Sequence, residues 1–212
     1  MPPNQIVKVG IIIGSTRIGR IGPQVGTFLQ DAIRSSQEGT DELRSRTNVD
    51  IIDIKDFNLP IFDEPGLPNR LKSSEEYKNE HTRVWSRHIS KYDAFIFLSA
   101  QRNWGIPAEL KNAIDYLFHE WKGKPALIVS YGGHGGVQCA EQIKIVTGAI
   151  GMRVVDKMIN MKFPSFEYLQ KIFDGEPLGF DATNEKATWS EHVPEIGSVF
   201  WNDLVKGMLI TE

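Results

Sequence analysis

One cysteine in 212 residues, Cys139, leaves no partner for an intrachain disulfide, so the chain suits a reducing compartment and not a disulfide-stapled life. No apolar run approaches the ~20 residues of a membrane-spanning helix; the longest are strand-length, and no membrane association is expected. The start, Met1-Pro2-Pro3-Asn4-Gln5, lacks the basic and apolar regions of a secretion signal, and a cytoplasmic location is expected. Positive charge is short as well. With 24 Lys+Arg against 27 Asp+Glu the net charge is −3, so no global field exists to hold a polyanion, and nucleic acid is not an expected partner. The histidines (81, 88, 119, 134 and 192) and Cys139 show no zinc-like spacing, and no metal is expected.

What remains is an ordinary soluble composition, 41% hydrophobic, long enough for one large domain. Ile6 to Ile13 is β-branched and nearly uncharged, as a strand buried on both faces must be. After Gly22-Pro23, the residues Val25, Phe28, Leu29, Ala32 and Ile33 form one helical stripe. The unit then recurs. Strands are expected at 49–54, 94–98, 126–129 and 153–155. Helices are expected after a Ser73-to-Glu76 capping box, from Ala108 to Trp121, and from Val137 to Ile150. Alternation of this kind predicts an α/β fold: a doubly wound, five-stranded parallel sheet with helices on both faces. Residues 1–156 are read as that domain. Residues 157–212 are read as a C-terminal extension packed on it, with a helical stretch near 184–209 interrupted by Pro194.

In open α/β sheets ligands sit beyond the carboxyl ends of the strands, which singles out the loops after strands one, three and four. Glycines concentrate there: of 19, five lie between Gly10 and Gly26 and five between Gly123 and Gly136. The first loop, Gly14-Ser15-Thr16-Arg17-Ile18-Gly19-Arg20-Ile21-Gly22, runs into a helix N-terminus that favours an anion. It matches neither G-x-G-x-x-G nor the triphosphate loop ending in Lys-Ser/Thr, so a terminal monophosphate suits it better. The third loop, Ser99 to Pro107, mixes amides with Trp104, which fits either a flat heteroaromatic ligand or a solvent loop packed on its own helix. The fourth, Ser130-Tyr131-Gly132-Gly133-His134-Gly135-Gly136, offers a nest of N–H groups for partial negative charge, such as the N1/O2 edge of a reduced flavin. Plain tight-turn geometry is the alternative there.

Taken together, Gly14-Ser15-Thr16-Arg17, the run Gln101 to Asp115 with its Leu110-Lys111-Asn112-Ala113-Ile114-Asp115, and Gly123-Lys124-Pro125 through Gly136 resemble the NADPH-dependent FMN reductase family of flavodoxin-like proteins, near its fungal quinone-reductase branch. The resemblance spans about residues 6 to 155. It implies bound FMN, reduced by NAD(P)H and reoxidised by a quinone or similar small-molecule acceptor in a ping-pong cycle, within a homodimer. By the same likeness Ser15 and Arg17 hold the phosphate, Gln101, Arg102, Asn103 and Trp104 line the flavin, and Tyr131, Gly132 and Gly133 meet its pyrimidine edge. The helix from Ala108 is the implied dimer element, with Tyr116 and His119 as contacts. No side chain is nominated as a catalytic nucleophile, acid or base.

Three positions depart from the family pattern, and two of them, Ala100 and Arg102, occupy places where proline and tyrosine are common. Arg102 has two uses open to it, contact with an NADPH phosphate or acidic acceptor, or solvation. Gly22 stands where relatives often carry a hydroxyl, which puts more of the phosphate on backbone amides and Arg17. Two other readings are carried forward. One is an NAD-binding Rossmann dehydrogenase with Asp53 as the ribose-binding acid. The other is a non-catalytic FMN-binding electron carrier or redox sensor, which nicotinamide would reduce only slowly.

Overall fold

Strand β1 (Val7–Ile13) lies at the middle of the sheet in the computed structural model, which describes residues 6–174 and 176–209. It pairs in parallel with β2 (Thr47–Asp53) on one side and β3 (Ala94–Ala100) on the other. Strand β4 (Pro125–Gly132) continues beyond β3, and β5 (Arg153–Val154) beyond β4, giving the order β2-β1-β3-β4-β5. That is the flavodoxin-type order, distinct from the 3-2-1-4-5-6 of the dinucleotide-binding fold. A sixth strand, β6 (Ile159–Lys162), also joins the edge of β4, pairing Val129 with Ile159 through Gly132 with Lys162. Little in the sequence marks it: it is four residues long, and its Asn160 accepts from the Ser130 hydroxyl at 2.8 Å.

The helices are α1 (Gly22–Ser35), α2 (Asp41–Ser45), α3 (Glu80–Ile89), α4 (Ala108–Asp115), α5 (Val137–Ala149), α6 (Phe166–Asp174), α7 (Val193–Ser198) and α8 (Lys206–Leu209). Alternate strand residues feed two cores. Ile11, Ile13, Ile96, Leu98, Leu127 and Val129 face α1 and the C-terminal segment around Trp189, Phe200 and Leu204. Ile12, Phe95, Phe97 and Ile128 face α3, α4 and α5. The extension therefore supplies part of one covering layer, beside α1. Its Pro194 starts α7 instead of interrupting a longer helix, because proline's missing N–H costs nothing in a first turn.

Two helices differ from expectation for reasons visible in their hydrogen bonds. Ser73 and Glu76 do pair, Oγ to Oε1 at 3.2 Å, but they close a short 3-10 turn, and α3 begins only at Glu80. The fourth helix was expected to reach Trp121 and stops at Asp115. Its last carbonyls are claimed by indoles: Trp85 Nε1 donates to Ala113 O at 2.9 Å and Trp121 Nε1 to Ile114 O at 3.1 Å. These bonds satisfy groups a helix end leaves open. Tyr116, expected at a subunit contact, is instead fully buried, its hydroxyl donating to Asp63 at 2.9 Å. His119 is held by a ring nitrogen at 2.9 Å from Asn69 O.

Lys124 lies over the Phe95 ring, 5.3 Å from its centroid, and donates to Ile89 O at 3.2 Å. Burial pulls its ammonium down to about 8, against the opposing influence of Asp93 and Glu120. The unfolded chain, titrating near 10.5, then holds more protons between about pH 8 and 10.5, so this lysine's penalty is full below pH 8 and relieved as pH rises through that window. Lys124→Met is expected to melt above the parent at pH 7, with the gap shrinking towards pH 10.5. Paired thermal melts across that range check it, and a gap independent of pH overturns it.

Candidate active site

The carboxyl ends of β1, β3 and β4 surround a cleft of about 200 Å³. Seven of the nine residues singled out from sequence line it: Ser15 and Arg17 from the first loop, Gln101 and Arg102 from the third, and Tyr131, Gly132 and Gly133 from the fourth. Asn103 and Trp104 lie outside this lining. They form the tip of a turn closed by reciprocal bonds between Arg102 and Gly105, N to O at 3.1 and 2.8 Å, with φ of 45° and 63°. Trp104 is 61% exposed and stacks on His134, ring centroids 5.6 Å apart.

The first loop is pinned from several sides. Gly14 N–H donates to Leu98 O at 2.8 Å, tying the loop to β3. Arg20 donates to Ser15 O and grips Asp53 through both carboxylate oxygens, the Oδ1 contact at 2.7 Å. Asp53 is thus committed to a guanidinium inside the loop, which together with the strand order sets aside the ribose-binding role. Arg102 is anchored at its guanidinium, with 34% of its side chain left exposed. Its Nη2 donates to Ser15 Oγ at 2.6 Å, and its Nη1 forms an ion pair with Glu109 Oε1 at 2.9 Å. Glu109 Oε1 also accepts the Thr16 N–H at 3.0 Å. Around the loop stand three guanidinium groups, Arg17, Arg20 and Arg102, against the carboxylates of Asp53 and Glu109, a balance that favours an anion.

Most of the rest of the lining is apolar or backbone. Burial pushes the Tyr131 phenol up, while Arg102, Arg20 and Arg17 pull the other way; the hydroxyl stays neutral at pH 7. The ring packs at 6.1 Å from both Phe163 and Trp189, and Phe163 stacks on Trp189 at 5.3 Å. Phe163, Leu169 and Ile172 line the cleft from the C-terminal side, and Arg20 and Ile21 from the first loop. Sequence reasoning assigned none of these to the site. The only advance sign of the first group was the i, i+3 spacing of Leu169 and Ile172 on α6. Gln101 turns out to have a second task, its Oε1 accepting the N–H groups of Gln138 at 3.1 Å and Cys139 at 3.2 Å in the first turn of α5.

Two glycines of the fourth loop play different parts. At Gly136 φ is +77° and an added Cβ would lie 2.8 Å from Ser130 Cβ, so the turn itself demands glycine. Gly133 is exposed on the cleft, and a Cβ there would meet nothing within 4 Å. Open backbone together with a hydroxyl and guanidinium groups in one cleft fits a ligand that joins a planar polar ring to a phosphate, as FMN does. Among the described residues no cluster of His, Cys, Asp and Glu could hold a metal ion.

Comparison with known proteins places the chain. The model of the NADPH-dependent FMN reductase family matches residues 7–163. The NAD(P)H-dependent FMN reductase LOT6 of Saccharomyces cerevisiae is 42% identical over 151 residues, 70% of this chain and 78% of that protein. The NAD(P)H-dependent FMN reductase C4B3.06c of Schizosaccharomyces pombe is 42% identical over 169 residues, 79% of this chain and 78% of that protein. Among solved structures, the flavoenzyme NAD(P)H:(acceptor) oxidoreductase FerB of Paracoccus denitrificans superposes with a TM-score of 0.67 at 19% identity, covering 96% of this chain and 99% of that one, a likeness of fold. By the extent of the family match and these identities, the chain belongs to the NADPH-dependent FMN reductase family.

Proposed function

We propose that the cleft is the FMN site of an NAD(P)H oxidoreductase that passes two electrons to a quinone or similar small acceptor in a ping-pong cycle. The observation that carries this reading is that Ser15, Arg17 and Arg102 line a single cleft together with the Gly132–Gly133 backbone. FMN, when bound, supplies the hydride chemistry, accepting from the nicotinamide and donating to the acceptor. The chain positions and polarises. Ser15, Arg17 and the amides of the first loop take the phosphate charge. The N–H groups of Gly132 and Gly133 favour negative charge at the ring's pyrimidine edge without any proton donor. Asn103 and Trp104, at the tip of their turn, would meet the ring from the cleft's rim.

The test is direct. Purified protein given FMN should acquire bound-flavin absorbance, and anaerobic NADPH or NADH should bleach it at a rate on the order of 1–1000 per second, the usual range for enzymes. A quinone should then restore the colour. Flavin that binds and stays yellow for minutes after nicotinamide is added would favour a carrier or sensor instead, and failure to bind FMN would overturn both.

A homodimer in the cytoplasm belongs to the same proposal. The loop after β2 exposes Ile61 (90%), Leu67 (58%) and Phe62 beside α4, apolar side chains that a second copy could cover. Light scattering at micromolar concentration should give twice the 23.9 kDa chain mass, and a monomer would remove this part of the reading. Among the described residues no helix is long and apolar enough to cross a membrane.

A further inference from the structure

Glu109 stands at the start of α4, behind the first loop. It does not line the cleft; it borders a separate hollow of about 280 Å³ with Thr16, Lys55 and Asn58. Yet one of its oxygens joins the two segments that bring Ser15 and Arg102 to the cleft. Oε1 accepts the Thr16 N–H from the first loop at 3.0 Å and pairs with the Arg102 guanidinium from the third, 2.9 Å from Nη1. With Nη1 so anchored, the other terminal nitrogen of the planar guanidinium, Nη2, rests on Ser15 Oγ at 2.6 Å.

We propose that Glu109 is a positioning residue for phosphate recognition, holding Arg102 against Ser15 so that the serine hydroxyl donates into the cleft; the proposal rests on the FMN reading above. A hydroxyl has one hydrogen to give and lone pairs to receive with. Ser15 Oγ accepts from Arg102, which leaves its hydrogen for an anion, and a hydroxyl that accepts from a cation is polarised into a better donor. Ser15 is 3% exposed, so few water molecules compete for that hydrogen. The Thr16 bond fixes the loop from behind at the same time. A carboxylate in a helix's first turn is favourable by itself. That preference does not account for one oxygen shared between a loop amide and an arginine from another loop.

The experiment compares FMN with riboflavin, which has the same ring and no phosphate, by fluorescence titration of the full chain. The parent should prefer FMN. Glu109→Ala should weaken FMN about tenfold, the scale of one hydrogen bond to a charged group, while leaving riboflavin unchanged. Glu109→Gln, which keeps an acceptor for Thr16 but loses the charge, should fall between. In an Arg102→Ala background Glu109→Ala should add less than about twofold, because the two act as one unit. Equal weakening of both flavins, unchanged or tighter FMN binding, or additive losses would overturn the proposal. Should Glu109→Ala fail to fold, Glu109→Gln and the Arg102→Ala pair with it decide. A parent that does not prefer FMN would bring down the FMN reading and this inference together. A parent that prefers FMN beside an inert Glu109 would bring down the inference alone.

Discussion

Gly133→Phe is expected to abolish flavin uptake, with FMN affinity falling about a hundredfold or more, in a protein that melts close to the parent temperature. The two halves of that result have separate causes. Gly133 lies on the cleft, its φ is outside the left-handed region, and a Cβ there has open space, so the folded chain accepts a side chain without strain. Surface substitutions of that kind usually change stability by no more than about 0.5 kcal/mol. But the ring would occupy a cleft of only about 200 Å³, beside the backbone assigned to the flavin's pyrimidine edge. Titration with FMN and a thermal melt of the same sample check both halves. A variant that folds and still binds FMN as tightly as the parent would move the flavin elsewhere.

Trp121→Ala should have the largest effect on stability, a loss of about 3–5 kcal/mol and, for a chain of this size, roughly 6–20 °C in Tm. Trp121 is fully buried, edge-on to Phe95 at 5.0 Å and 6.2 Å from Trp85. Its removal leaves a cavity between α3, α4 and the sheet, and it strips Ile114 O of its indole donor at the end of α4. Trp121→Phe restores most of the volume but not the N–H, so it should lose about 1–3 kcal/mol. Denaturant unfolding of the pair separates packing from capping. A Trp121→Ala protein within about 1 kcal/mol of the parent would mean that this core collapses freely around the gap.

What could be read from the sequence follows the range of the interactions involved. Three central strands, β1, β3 and β4, were legible because burial on both faces makes each an apolar run, and Pro23 marked the start of α1 through a purely local preference. The three loops were legible because parallel strands bring their ends together. The errors share a tertiary origin. The apolar stripe through Leu117 and Trp121 is buried as expected, yet the chain that carries it is not helical, since indoles from residues 85 and 121 close α4 first. Strand β6 depends on an edge that only the folded sheet provides. Arg102 stands out in the sequence as a departure from the family pattern and Asp53 as a candidate ribose-binding acid, but their partners, Glu109 and Arg20, lie on other segments and no local pattern announces them.

Cys139, under the first turn of α5, is fully buried, its thiol donates to Ser99 Oγ at 3.4 Å, and burial pushes that thiol up. Quinones are soft electrophiles that arylate accessible thiolates by conjugate addition, a hazard for any catalyst that gathers them at its surface. With its one sulfhydryl kept protonated and out of reach, this chain presents no such nucleophile to the quinone acceptors proposed for it, and turnover on them need not end in self-inactivation at cysteine.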